Sequence, residues 1–303
     1  MKISTSNEWE SLKTVLLGTA QYANWPTKGS FRTLQQQTLW NETPVPSGPV
    51  PDEIINETNE GLNSFQTILE SLGVKVLRPD TINWQTRDAM SAYNPRDRLL
   101  VVGDCVVDCN MQYEVRDQEI EAYNSIVTSA KTVIKPPSNI QFDAANICRI
   151  NDTLLYLVSP SGSIEGAQWL QDQFPHLTVE TTSVYGGVHI DSTFTPVREG
   201  LVVINSDRVN ETTCPKCFKS WDKIWIGKQD LPNKPFFQYP YASNYIYLNF
   251  LMVSSSTAII DECPHLEHQL KLHRVEVIKT ELKHSRTLGG GHHCVTLDLE
   301  RKN

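Results

Sequence analysis

The sequence predicts an α/β protein built from a repeated unit of two strands, a helix and a further strand. Short segments rich in valine, isoleucine and leucine recur along the chain and are bounded by turn residues, as strands are. Segments with apolar residues at helical spacing lie between them. The order hairpin, helix, strand occurs three times, in 98–136, 147–184 and 256–281. A repeated ββαβ module is therefore the predicted building block.

The elements follow one another in a simple order. The predicted strands are 12–18, 74–79, 98–109, 132–136, 147–159, 177–184, 200–207, 256–262, 274–281 and 294–300. The predicted helices are 51–73, 117–132, 163–175 and 265–273, the first ending at a glycine, a common helix stop. Segment 19–50 is polar and contains several prolines and glycines, so we expect an irregular excursion over the surface or over a site. We expect the whole chain, 1–303, to form a single domain.

Composition argues against several classes of partner. The 303 residues carry a formal net charge of −8 and contain no lysine- and arginine-rich run, so no nucleic acid is expected. No apolar run approaches the length of a membrane span, and the N-terminal sequence lacks the apolar region of a signal peptide. We therefore expect a cytoplasmic protein with small-molecule substrates and no membrane contact. A homodimer is left open.

The seven cysteines indicate a reducing compartment, because their number is odd and the chain is long. Cys214 and Cys217 form a single CxxC pair, and Cys263 with His265 could supply the two remaining ligands of a zinc site. The pair lies in a polar loop and nothing else in the sequence supports a metal. We predict no metal and no organic cofactor.

Four polar segments adjoin predicted strands and carry side chains suited to catalysis. They are "NPRDR" (94–98), "FDAAN" (142–146), "GGVHIDST" (186–193) and "GGGHHC" (289–294). They supply three carboxylates, an imidazole that titrates near neutral pH and a thiol nucleophile. These groups belong to Asp97, Asp143, Asp191, His189 and Cys294.

This set of groups suits one kind of substrate. Several carboxylates around one pocket repel one another unless a cation lies among them. A guanidinium is a planar cation that carboxylates bind by paired hydrogen bonds, and its central carbon stays open to a thiolate. The residues therefore suggest attack on a guanidinium carbon.

Each residue also has a purely structural explanation. Asp97 and Asp143 could cap turns, Cys294 could be a buried core thiol, and the residues at 189 and 191 could be strand positions satisfied by the backbone. The sequence does not show that the four segments converge. From the residues alone, the prediction is a hydrolase or transferase that uses cysteine and histidine.

The segments "FDAAN", "HIDSTF", "NSDR" and "LGGGHHC", in this order, resemble the amidinotransferase family. The resemblance extends to "NEWESLKTVLLG" and "NPRDRLLVVGD" and so spans nearly the whole chain. It implies the pentein fold of the guanidine-modifying superfamily, a five-bladed α/β propeller of ββαβ modules. The implied activity is transfer of the amidino group of L-arginine to an amine. Glycine, the commonest acceptor in the family, would give guanidinoacetate and ornithine.

The resemblance also implies roles for individual residues. Cys294 would attack the guanidinium carbon, and His189, paired with Asp143, would protonate the departing ornithine. Asp97 and Asp191 would hold the guanidinium nitrogens. Arg208 would bind the carboxylate of the donor, and Ser243 falls where the family has a serine that contacts substrate.

The chain departs from the family in two places. It is short, and the stretch between Asp97 and Asp143 is compact. Gly186, Gly187 and Val188 stand where the animal glycine enzyme has Asn-Pro-Met. Because this loop is expected to shape the acceptor site, a larger amine could replace glycine as the acceptor. Two further hypotheses are a hydrolase of the arginine deiminase type and a catalytically idle binding protein.

Overall fold

The computed structural model describes residues 1–27, 46–233 and 242–302. The strands are β1 (Ser11–Leu17), β2 (Asn24–Trp25), β3 (Gly48–Pro49), β4 (Lys75–Leu77), β5 (Leu99–Val102), β6 (Cys105–Asp108), β7 (Thr132–Ile134), β8 (Ile147–Ile150), β9 (Thr153–Leu157), β10 (Thr178–Thr182), β11 (Phe194–Arg198), β12 (Leu201–Asn205), β13 (Asp222–Ile226), β14 (Leu251–Ser254), β15 (Thr257–Ile260), β16 (Glu276–Lys279) and β17 (Thr296–Lys302). The α-helices are α1 (Asp52–Ser71), α2 (Pro95–Arg98), α3 (Asn124–Ser129), α4 (Ile164–Gln173), α5 (Pro264–Leu272) and α6 (Ser285–Leu288).

Five three-stranded sheets in the described part of the chain share one topology. In each, an antiparallel pair is followed by a third strand that lies parallel to the central strand. The sheets are β5-β6-β7, β8-β9-β10, β11-β12-β13, β14-β15-β16 and β17-β1-β4. The first two hairpins turn at Gly103 (φ 59°) and Asn151 (φ 51°), residue types that tolerate left-handed backbone.

The sheets form a closed ring. The sheet of β17, β1 and β4 contacts that of β5, the sheets of β8 and β11 touch, and β1 contacts β14. The short 3₁₀ helices at Ala144–Asn146 and Asn244–Leu248 make the remaining contacts, with β5 and β12. The ring closes where β17 pairs antiparallel with β1, from Ser11 opposite Lys302 to Leu17 opposite Thr296. The predicted α/β class is confirmed, and the five sheets match the number of modules that the resemblance implied.

The three units predicted from the sequence are present, although the first strand of the third, β14, lies before the predicted start at residue 256, and two more units were missed. The unit of β11, β12 and β13 was hidden because β11 contains Pro196; β11 is an edge strand, where proline is tolerated. The unit of β17, β1 and β4 is assembled from both ends of the chain, so no local order reveals it.

The prediction of one helix over 117–132 was wrong. Residues Glu114–Tyr123 form a 3₁₀ helix, α3 follows, and Thr132 already belongs to β7. Arg116 and Glu119 form a buried ion pair three residues apart, the separation that a 3₁₀ turn aligns. Of segment 19–50, residues 28–45 lie outside the described residues; the remainder contributes the two-stranded sheet of β2 and β3.

A buried cluster of charges joins three units of the ring. Asp298 of β17 accepts hydrogen bonds from Arg96 of α2 (2.7 Å), Arg149 of β8 (2.7 Å) and Arg301 of β17 (2.8 Å). Arg149 also binds Glu8 in the N-terminal segment, at 2.7 Å. The three arginines hold the pKa of Asp298 well below its usual range although burial raises it. Asp298 therefore stabilises the fold as an anion, and this stability is lost as pH falls through the lowered pKa.

Asp298→Asn should destabilise the protein by about 3–5 kcal/mol, because it removes the anionic partner of buried Arg301 and one of the two anionic partners of Arg96 and Arg149. The free energy of unfolding, measured by denaturant titration, tests this. Glu262→Gln is the control, since Glu262 lies in an exposed pair with Lys279; its unfolding midpoint should stay nearly unchanged. Equal midpoints for the two variants would contradict the assignment.

Candidate active site

A cavity of about 260 Å³ collects the candidate residues of the sequence. Each of the five units contributes one lining residue from the segment just before the outer strand of its antiparallel pair, which we call its entry segment. Asp97 precedes β5, Asp143 precedes β8, Asp191 precedes β11, Asn249 precedes β14 and Cys294 precedes β17. Because the units are arranged in a ring, these entry segments meet, and side chains almost 200 residues apart line one cavity.

The glycine run positions Cys294. A side chain at Gly290 would place its Cβ 2.0 Å from Asn94 Oδ1, and Gly289 has a left-handed φ of 77°. The Cys294 amide donates to Asn249 Oδ1 (2.9 Å), and Asn249 Nδ2 donates back to the Cys294 sulfur (3.1 Å). The backbone therefore passes too close to its neighbours for any residue larger than glycine at 290.

The Cys294 thiol is buried and donates to Asp191 Oδ2 at 3.1 Å. Burial, followed by the negative charges of Asp191 and Asp97, raises the pKa of this thiol well above its ordinary value. Without a bound cation, Cys294 is therefore a protonated thiol at neutral pH.

His189 lies between two carboxylates. Its Nε2 is 3.0 Å from Asp143 Oδ2, and its Nδ1 is 3.7 Å from Asp97 Oδ1. Burial lowers the pKa of the imidazole, but Asp97 and Asp143 outweigh burial and raise it to about 9. His189 is consequently protonated at neutral pH and can donate a proton.

The three carboxylates differ in their partners. Asp97 Oδ2 accepts from Arg116 (2.8 Å), whereas its buried Oδ1 has no hydrogen-bond partner among the described residues. Asp143 Oδ1 accepts from the amide of Gln112 (3.0 Å). Burial raises the pKa of Asp97. The cavity therefore contains an acceptor atom, Asp97 Oδ1, that a bound donor group can satisfy.

The other predicted substrate residues also line the cavity. Arg208 lies between the rings of Tyr185 and Tyr245, with its Cζ 4.2 and 4.8 Å from their centroids. Its Nη1 donates to Ser192 and Thr193, and its other nitrogens make no hydrogen bond within the described ranges, which leaves them for a ligand. Ser243 lies at the start of the 3₁₀ helix Asn244–Leu248 and is exposed at the cavity.

The loop that carries Gly186 and Val188 forms another wall. A Cβ at Gly186 would meet no atom within 4 Å, and the Val188 side chain is 41% exposed. This wall is therefore open, and larger side chains at either position would narrow the cavity.

Sequence reasoning missed Asn249, Arg116 and the contacts of His293. Asn249 holds both the amide and the sulfur of Cys294. Arg116 holds Asp97, and His293 Nδ1 lies 2.9 Å from Asp191 Oδ2. Asn249 and Arg116 belong to no recognisable motif, so the sequence alone carried no signal for them.

The cysteine pair of the CxxC sequence lies away from the cavity. Cys214 is buried, Cys217 is partly buried, and both pack in the same apolar core as Cys263. No group of three histidine, cysteine or acidic residues within 1–27, 46–233 and 242–302 is placed to hold a metal ion. In the same ranges, no helix has the length and apolar character needed to cross a membrane.

Three curated relatives cover 99% of the chain. The chain is 34% identical to inosamine-phosphate amidinotransferase 1 of Streptomyces glaucescens, of which it covers 97%. It is 26% identical to L-arginine:L-lysine amidinotransferase of Pseudomonas savastanoi pv. phaseolicola, covering 94%, and 24% identical to mitochondrial glycine amidinotransferase of Xenopus tropicalis, covering 83%. No family model matches the chain.

Solved structures agree with this relationship. The inosamine-phosphate amidinotransferase of Streptomyces griseus superposes with a TM-score of 0.91 at 33% identity, covering 99% of this chain and 97% of that one. A dimethylarginine dimethylaminohydrolase of Pseudomonas aeruginosa has a TM-score of 0.68 at 14% identity, with 95% and 99% covered, and shares the fold alone. The fold is therefore the pentein fold that the resemblance implied. The chain belongs to the amidinotransferase family and is a transferase.

The imidazole of His189 should titrate near pH 9, and Asp143→Asn should lower that value because it removes a negative charge at hydrogen-bond distance. NMR titration of the histidine side chains measures both values. Asp230→Asn is the control, because Asp230 faces His265 at 3.9 Å and not His189. An unchanged His189 midpoint in Asp143→Asn would show that Asp143 does not set its charge.

Proposed function

We propose that the protein transfers the amidino group of L-arginine to an acceptor amine through an amidino-Cys294 intermediate. The observation that carries this proposal is the joint presence of a thiol, a protonated imidazole and three carboxylates around one cavity. A cation bound among the carboxylates would offset their mutual repulsion.

The donor site is best suited to a guanidinium. Asp97 Oδ1 has no partner among the described residues and Asp191 Oδ2 binds the thiol, so both face the space beside Cys294. Arg208 offers a cation for a carboxylate at the other end of an amino acid. The named arginine:lysine relative supports arginine as the donor.

The steps conserve atoms and charge. Guanidinium binding places a positive charge beside the thiol, so the thiol loses its proton to solvent and becomes the thiolate, which regains that proton at the end of the cycle. The sulfur then bonds to the guanidinium carbon, the bond to the side-chain nitrogen breaks, and His189 protonates the departing ornithine amine. An acceptor amine next bonds to the same carbon, the carbon–sulfur bond breaks, and His189 receives the proton of the amine.

We infer that the acceptor is bulkier than glycine. The cavity wall at Gly186 is open, and the relatives with the higher identities act, by their names, on an inosamine phosphate. The glycine enzyme is 24% identical. Glycine, the acceptor expected from the family's commonest reaction, remains the competitor that the experiment must include.

Incubation with arginine alone should release ornithine once per active site and add an amidino mass to the peptide that contains Cys294. Cys294→Ala should abolish both signals, because no sulfur remains to hold the amidino group. Mass spectrometry measures the adduct, and amino-acid analysis separates ornithine from citrulline.

Cys217→Ala is the matched control, since Cys217 is a partly buried thiol outside the cavity. It should retain the burst and the adduct. Substantial turnover by Cys294→Ala would contradict the mechanism, and citrulline as the main product would identify a hydrolase instead.

Gly186→Asn/Val188→Met should shift acceptor preference toward glycine. The added side chains narrow the open wall, and the asparagine amide offers a hydrogen bond to a carboxylate, a contribution on the order of 1.5–3 kcal/mol. A competition assay with equal glycine, lysine and a cyclic amino alcohol, read as product ratios, measures the change. An unchanged ratio would mean that this loop does not select the acceptor.

A further inference from the structure

His293 connects the nucleophile to a second, buried carboxylate. Its Nδ1 lies 2.9 Å from Asp191 Oδ2, the same oxygen that accepts from the Cys294 thiol. Its Nε2 lies 3.2 Å from Glu8 Oε2. A continuous chain of hydrogen bonds therefore runs from Cys294 through Asp191 and His293 to Glu8.

Both nitrogens of this ring face carboxylate oxygens. A neutral imidazole carries one hydrogen, so it can donate to one of the two carboxylates only. The other nitrogen would then direct its lone pair at an anionic oxygen in a buried site. The doubly protonated ring satisfies both contacts, and the geometry therefore favours an imidazolium.

Neighbouring residues hold the imidazole of His293 in place. Arg96 Nε donates to the main-chain oxygen of His293 (2.8 Å), and the His293 amide donates to the oxygen of Asn249 (3.1 Å). Glu8 is fixed in turn by Arg149, at 2.7 and 2.9 Å. The His293 side chain is 10% exposed, so its imidazole has little freedom to leave Asp191.

The charge of Asp191 depends on this arrangement. Burial alone raises the pKa of Asp191, whereas the hydrogen bond and charge of His293 are the main factors that lower it, to about 2. Asp191 in turn raises the pKa of the Cys294 thiol. A positive charge on His293 offsets part of that negative charge next to the sulfur.

We propose that His293 is a positioning residue for the nucleophile. As an imidazolium that bridges Glu8 and Asp191, it keeps Asp191 ionised and directed at the Cys294 sulfur, and its positive charge offsets part of the negative charge of Asp191. The inference rests on the proposed role of Cys294 as the nucleophile. It gives the N-terminal segment a part in the site, because Glu8 is the outer anchor of the chain of hydrogen bonds.

Several other ionisable groups lie next to this chain of hydrogen bonds. Arg96 and Arg149 bind Glu8, and Asp298 binds both arginines. Cys148 of β8 lines the same small cavity as Glu8, Asp191 and His293. Burial raises the pKa of Cys148 well above its ordinary value, so Cys148 stays neutral, and the arginines stay charged. Within this group, the partners of the His293 ring nitrogens are the two carboxylates.

The test is the rate at which iodoacetamide alkylates Cys294, followed by peptide mass spectrometry from about pH 6 to about pH 10. The assay needs no arginine, so it is independent of the proposed reaction. His293→Gln removes the charge beside Asp191, and alkylation should become roughly tenfold slower across this pH range, because less of the thiol is ionised at each pH. His293→Asn keeps a donor near the Nδ1 position without the charge and should slow alkylation in the same way.

His292→Gln is the matched control. His292 is a buried neighbour whose ring packs edge-on against Phe65, with 5.0 Å between centroids, and whose Nε2 has no hydrogen-bond partner among the described residues. This variant should alkylate as the unchanged protein does. In the unchanged protein, ¹⁵N spectra at neutral pH should show a proton on both nitrogens of His293.

A folded His293→Gln that is alkylated at the original rate would overturn the proposal. So would a His293→Asn variant that matches the unchanged protein, because the hydrogen bond alone would then suffice, and so would a singly protonated His293 ring. If alkylation shifts as expected but the protein forms no amidino adduct with arginine, the proposed function fails and the assignment of His293 stands.

Discussion

The antiparallel pairing of β1 with β17 is the contact on which the rest of the structure depends. It closes the ring of five sheets and supplies the last of the five entry segments, the one that carries Cys294. The remaining entry segments already bring Asp97, Asp143 and Asp191 toward the same space. The buried charges around Asp298 reinforce this junction, since they connect β17 to α2 and β8. The chemistry of the cavity is therefore a consequence of ring closure rather than of any single loop.

The carboxylates of the cavity concentrate negative charge around the Cys294 thiol. The carboxylates surround a protonated thiol, and the pKa of that thiol is high because of burial and their negative charge. The protonated imidazole of His189 moderates the repulsion between Asp97 and Asp143. A planar cation fits such a site better than a neutral ligand, because it neutralises the carboxylates and favours the thiolate in one step. In the proposed mechanism, the thiolate therefore forms when such a cation binds.

The sequence predicted those parts of the fold whose signals are local. Hairpin, helix and strand follow one another without interruption in three units, and the polar segments beside strands identified Asp97, Asp143, His189, Asp191 and Cys294 as candidates. The unit containing Pro196 and the unit made from both chain ends were not predicted, because an edge proline and a pairing of distant strands leave no local pattern. The helix over 117–132 was mistaken because a buried ion pair favours the tighter turn.

Site residues that belong to no sequence motif could not be predicted, for a similar reason. Asn249 and Arg116 act through contacts with Cys294 and Asp97 that exist only after the ring forms. The identity of the acceptor amine is another property that the sequence did not predict. Gly186 has no side chain and leaves the cavity wall open, and an open wall fits amines of several sizes. Family resemblance suggested the donor and the roles, while the geometry of the cavity provides the means to test them.

The closure of the ring also sets the order in which the protein can be completed. Ser11 pairs with Lys302, so the central strand of one sheet is made first and its antiparallel partner last. The entropy of closing a loop rises slowly with its length but must be overcome before the contacts stabilise it, and pairings this distant are slow. The sheets of β8 and β14 need no such partner, since their strands are close in sequence. A chain still under synthesis can thus hold the carboxylates of the site while it lacks the thiol, and the reactive sulfur reaches its carboxylate only when the sheet of β1 is complete.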